Sequence, residues 1–91
     1  MTVFIATLEE LLVGTVYEGE ALNEPDLFVA TGRLFCERLD QGDGADDLLS
    51  AYLDELVGGV EAATDDDLVL TGALLGGAVG VLCPEHADAV G

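Results

Sequence analysis

The sequence predicts an all-α fold, a single domain of four helices arranged like a bundle with the C-terminal apolar helix central. Three observations carry this expectation. Helix-start residues recur along the chain at Thr7, Asn23, Asp43 and Thr64. Behind each of them apolar residues return at three- and four-residue steps, the spacing of one helix face. Turn chemistry, above all Asp40-Gln41-Gly42-Asp43-Gly44, separates the periodic segments, since glycine tolerates positive φ and Asp bonds its own backbone. With 91 residues, 51% of them hydrophobic, the chain suits one modest core and no second. Residues 1–91 are therefore read as one acidic helical domain ending in a loose tail, 86–91.

The first helix is expected over 7–22, because Thr7-Leu8-Glu9-Glu10 has capping-box spacing. In such a box the hydroxyl accepts from the backbone three residues on, and the acid reaches back. Leu8, Leu11, Leu12, Val16 and Leu22 would form its apolar face. Gly14 and Gly19 each weaken it by about 1 kcal/mol relative to Ala. The β-branched runs TVFIAT and GTVYEG make a short N-terminal strand the alternative. The second helix, 25–39, takes Asn23 as its cap and Pro25 in its first turn, where a missing N–H has no intrahelical partner to lose. Leu27, Phe28, Thr31, Leu34, Phe35 and Leu39 are its stripe. The third helix, 45–62, has Asp43 as cap, Asp46 and Asp47 in its first turn, and a wider stripe running from Leu48 through Tyr52 and Leu53 to Val60.

The fourth helix, 65–83, is capped by Thr64, with Asp67 completing the box and three carboxylates at the positive end of the helix dipole. Three consecutive acids point around the helix rather than at one ion, and no calcium-loop spacing follows. Between Asp67 and Glu85 there is no charge at all. On a wheel at about 100° per residue, large side chains such as Leu70, Leu74, Leu75 and Leu82 fall on one side. Val69, Gly72, Ala73, Gly76, Gly77, Gly80 and Cys83 fall on the other. The register Gly72-x-x-x-Gly76-x-x-x-Gly80 lets two helix backbones come close. A membrane span is opposed by length, since sixteen residues cover about 24 Å of a roughly 30 Å hydrocarbon core. The flat side, Val69, Gly72, Ala73, Gly76, Gly77 and Gly80, is accordingly expected to meet a neighbour, either a second copy in a homo-oligomer or a protein partner.

Charge excludes other functions. Nineteen Asp and Glu stand against two Arg and no Lys, giving a formal net charge of -17. Direct nucleic-acid binding needs cations that replace phosphate counterions, and anionic membranes repel such a chain. The acidic surface is expected to include Asp54, Glu55, Glu61, Asp65 and Asp66. Three accounts fit it: adaptation to a high-salt cytoplasm, a well-solvated surface in a lysine-poor composition, or mimicry of nucleic acid by a viral type of inhibitor that blocks a basic groove. In the last case the partner is basic.

Two cysteines, Cys36 and Cys83, are too few for a disulfide scaffold and are read as buried free thiols, with one bridge the alternative. Cys83-Pro84-Glu85-His86 places the only His three residues from a Cys. Zinc wants four ligands that the chain does not offer, and a thiol–imidazole nucleophile would lack an orienting group. His86 is read as a favourable charge at a helix end. No cofactor, metal or catalytic constellation is expected. The segment MTVFIATLEE carries no basic n-region or cleavage pattern, so the expected location is cytoplasmic. The function expected is that of a non-enzymatic interaction protein, with nucleic-acid mimicry as the alternative.

Overall fold

A computed structural model describes residues 2–89, and among them there is no strand. Five α-helices follow in order: α1 Thr2–Leu11, α2 Glu20–Asn23, α3 Pro25–Asp40, α4 Ala45–Val57 and α5 Asp65–Gly77. A π-helical turn, Ala78–Leu82, continues α5, and 3-10 turns occupy Val60–Ala62 and Pro84–Ala89. The all-α class stands; the N-terminal strand does not form. No helix among the described residues is long and apolar enough to cross a membrane.

The first helix departs most from expectation. It begins at Thr2, five residues before the expected cap, and stops at Leu11. Thr7 lies inside it, with its hydroxyl donating to the Val3 carbonyl at 2.8 Å. A hydroxyl satisfied one turn back needs no free helix end, so its capping-box spacing is a coincidence of composition. Gly14 and Gly19, both at φ +85, turn the chain where one helix was expected to continue. Left-handed backbone is the conformation glycine reaches without a Cβ penalty. The short α2 follows this turn and buries Ala21.

Helix α3 covers the expected segment, but Asn23 does not cap it; Glu24 holds the cap position and makes no side-chain cap bond. Likewise Gly44, not Asp43, stands at the cap of α4, because Asp43 is paired with Arg38. Helix α4 ends at Val57 rather than 62. Gly58 at φ +91 donates to the Asp54 carbonyl, the single bond four residues back that marks a left-handed glycine ending, and the Gly59 N–H reaches the Leu53 carbonyl at 3.3 Å. The fourth expected cap is present in full: Thr64 accepts from the Asp67 N–H, and Asp67 accepts from the Thr64 N–H at 2.9 Å.

All the buried apolar side chains but Leu53 form one cluster, drawn from the five α-helices, the turn after α1, the π turn and Cys83. Phe4, Leu8 and Leu12 of the N-terminal segment enter it beside Phe28, Phe35, Leu70, Leu74 and Leu75. Phe35 meets Tyr52 edge to face, centroids 5.7 Å apart, a favoured aromatic geometry. Phe4 lies where two helices have no side chain. A Cβ on Gly32 would sit 2.8 Å from its Cζ, and one on Gly77 3.1 Å from its Cε1. Those glycines let α3 and α5 close around one ring.

Cys36 and Cys83 are joined in a disulfide, Cα to Cα 5.9 Å, which corrects the free-thiol reading. The π turn explains how the sulfur gets there. The Cys83 N–H reaches back five residues to the Ala78 carbonyl at 2.8 Å, so the helix rotates less per residue than a wheel at about 100° assumes. Cys83, assigned to the flat side, is thereby carried inward to 4% exposure. In the tail, Pro84–Ala89 forms a 3-10 turn, and His86 Nε2 meets Asp40 Oδ1. Residues 90 and 91 of the expected loose tail lie outside the described residues.

Candidate functional site

Helix α5 and the π turn that continues it display a narrow open strip. Leu68 and Val69 are 46% and 42% exposed, and Gly72, Gly76 and Gly80 are exposed after them. A Cβ on any of these three glycines would meet nothing within 4 Å. The other two residues expected on this face are not on it. Ala73 is buried, and Gly77 packs against Phe4 and Leu8. Both sit at the border of the wheel's flat side, where the neighbouring helices close over them. The strip is neutral, while the acids set around the fold are largely exposed: Asp54, Glu55, Glu61 and Asp65 are, and Asp66 is half-buried with a carboxylate oxygen accepting from the Val16 N–H at 3.0 Å.

A polar cluster fixes the start of α5 against the turn after α1. Tyr17 donates its hydroxyl to Asp67 Oδ1, and the Thr71 hydroxyl donates to the Asp67 carbonyl at 2.8 Å. The hydrogen bond to Asp67, with burial second, pushes the Tyr17 phenol up to about 12. The Thr64 backbone N–H, then the Tyr17 hydroxyl, hold the Asp67 carboxyl below its ordinary range. Because the folded state favours the neutral phenol, its contribution is whole below the ordinary tyrosine value of 10.0 and is lost as pH rises towards about 12. The Asp67 contribution is lost at the other extreme, as pH falls below the carboxylate range. Tyr17→Phe should therefore flatten the loss of stability between pH 10 and about 12 and lower the neutral-pH melting temperature by about 5 °C. Urea unfolding across a pH series checks both.

A second concavity was not expected from the sequence. Ile5 and Ala6 of α1, Leu22 of α2, and Pro25, Asp26, Val29, Ala30 and Arg33 of α3 line an open groove of about 720 Å³. On α3 the last four recur at steps of three and four, one face of the helix. Asp26 and Arg33 are its only charged lining residues. Arg38 is bonded to Asp43 and His86 to Asp40, which leaves Arg33 the one basic side chain with no ion pair among the described residues. Ile5 and Ala6 precede the first expected helix, and Leu22 was expected on its core-facing stripe, so nothing in the sequence pattern brought these residues to one face of α3.

The Cys/His pair singled out in the sequence is separated by chemistry. Cys83 is bridged, so its sulfur is neither a thiolate nucleophile nor a zinc ligand. His86 instead shares a surface cluster with Asp40 and Glu85, whose ligand atoms lie within 4.8 Å of one another. Three donors fall one short of a closed structural zinc shell, and the His–Asp pair already accounts for two of them.

Compared with known proteins, residues 2–85 match the family described as "Protein of unknown function (DUF732)". No curated protein and no solved structure matches the chain.

Proposed function

The chain belongs to the DUF732 family, and from its own surfaces we propose that it acts as a small non-enzymatic interaction protein, a homodimer or assembly component that meets its neighbour through α5. The observation that carries this reading is the neutral strip Leu68, Val69, Gly72, Gly76 and Gly80, open to solvent on a chain of net charge -17. Glycine in a helix interior costs about 1 kcal/mol relative to Ala. Gly32 and Gly77 are accounted for by Phe4, whereas Gly72, Gly76 and Gly80 have no intramolecular contact that requires them. A second helix lying close against the strip would use the missing side chains. The bridge moves the expected setting from the cytoplasm to an oxidising compartment, where such bonds persist.

Gly76→Leu separates the interface from the fold. With open space at its Cβ, the substitution should raise monomer stability by about 0.5 to 1 kcal/mol through helix propensity. It should also weaken self-association or partner capture at least tenfold, read by analytical ultracentrifugation and by pull-down with tagged protein. A wild-type monomer at every concentration, together with partner capture unchanged by the substitution, would sink the reading. A salt-labile complex with a basic nucleic-acid-binding protein that Gly76→Leu leaves intact would instead favour mimicry through exposed carboxylates such as Asp54, Glu55 and Glu61.

A further inference from the structure

We propose that the groove between α1 and α3 binds a small amphiphile, an unbranched apolar chain with one carboxylate, and that Arg33 holds the carboxylate. Size and lining come first. A volume of about 720 Å³ falls within the range of small-molecule sites, which are mostly apolar with a few placed polar groups. Ile5 forms a nearly closed floor at 8% exposure, while Leu22 at the rim is 67% exposed and would be covered by an occupant.

Charge then selects the head group. A cation approaching this protein finds carboxylates on every side, so a site for one needs no arginine. Of the two arginines in the chain, one is paired with Asp43, and the other lines the groove with its guanidinium uncommitted. A planar guanidinium matches a carboxylate in two parallel hydrogen bonds. Asp26 marks the opposite end. Seven residues of helix separate it from Arg33, about 10 Å, so a second anion at the far end would be repelled. The ligand is thus a monocarboxylate whose chain lies along Val29 and Ala30 towards Pro25 and Leu22.

Decanoate, below its micellar concentration, is the direct probe, titrated into the intact disulfide-bonded protein by calorimetry. We expect saturable binding at one site per chain. Arg33→Gln should weaken it at least tenfold, the scale of a charge-assisted pair, while decanol binds the two proteins alike. Raising the salt from low to physiological concentration should leave decanoate binding unchanged or tighter, since screening relieves repulsion from the net charge more than it weakens a direct contact. Ala30→Trp, at an exposed position, should fill the groove and abolish binding of both compounds. Gly76→Leu lies on another helix and should change neither, which keeps this result separate from the α5 interface. Absence of saturable decanoate binding, equal binding by Arg33→Gln, or tighter binding of decyltrimethylammonium than of decanoate would overturn the proposal.

Discussion

Removing the Cys36–Cys83 bridge, by reduction or as the Cys36→Ala/Cys83→Ala pair, should lower the unfolding free energy by about 4 kcal/mol. For a domain of this size that corresponds to a fall of roughly 20 °C in melting temperature. The magnitude follows from where the bond lies. Its ends are 47 residues apart in sequence, so in the unfolded chain it closes a long loop and removes much of that chain's conformational freedom. In the folded state it ties the C-terminal half of α3 to Cys83, the almost wholly buried residue that follows the π turn. A core built from 91 residues has little stability to spare, and a net charge of -17 subtracts from it through self-repulsion. Thermal melts followed by circular dichroism, with and without reductant, give the difference, and the Ala pair should no longer respond to reductant. Equal melting temperatures would mean that the helices hold together without the bond. The result also bears on setting, since a fold that depends this strongly on a disulfide persists only where disulfides persist.

What could be read in advance was what acts within one or two turns of chain. Thr64 and Asp67 form their reciprocal cap because both partners lie in the same four residues, and Pro25 opens α3 for a reason contained in its own ring. Local rules also misled where a tertiary contact outweighs them. Thr7 has the spacing of a cap but is drawn into a helix beginning at Thr2, whose Phe4 and Leu8 are fully buried. Gly58 and Gly59 sit in a stretch whose apolar period runs on to Val60, and only their left-handed backbone shows that α4 has ended. The candidate sites divide in the same way. The strip on α5 follows mostly from period, minus the two border residues that neighbours cover and plus Leu68, which the wheel places with the large side chains and the fold leaves exposed. The bridge and the groove do not, since one joins residues on opposite halves of the chain and the other needs three helices at once. The π turn between α5 and Cys83 defeats any fixed-angle wheel.

Phe4→Ala should cost about 3 to 5 kcal/mol, the range for a fully buried aromatic ring, and the more informative experiment pairs it with Gly32→Ala. Phe4 has no exposed surface, and its ring occupies the space that side chains on Gly32 and Gly77 would take. In the wild type, a methyl on Gly32 would press on Phe4 Cζ and on Leu82 Cδ1, each nearer than 3.0 Å. Overpacking of this kind costs about 1 to 3 kcal/mol. The Leu82 contact is with the end of a flexible, half-buried side chain and can be relieved by rotation; a ring enclosed by two helices has no such freedom. Once the ring is gone, the same methyl enters the cavity it left and restores part of the lost packing. The double variant should therefore be more stable than the sum of the two single losses predicts, by about 1 kcal/mol or more. Urea unfolding of the four proteins of the cycle measures that coupling. Strict additivity would show that the Gly32 backbone, not the Phe4 ring, is what excludes a side chain there, and the close approach of α1 to α3 beside the Arg33 groove would then need another cause.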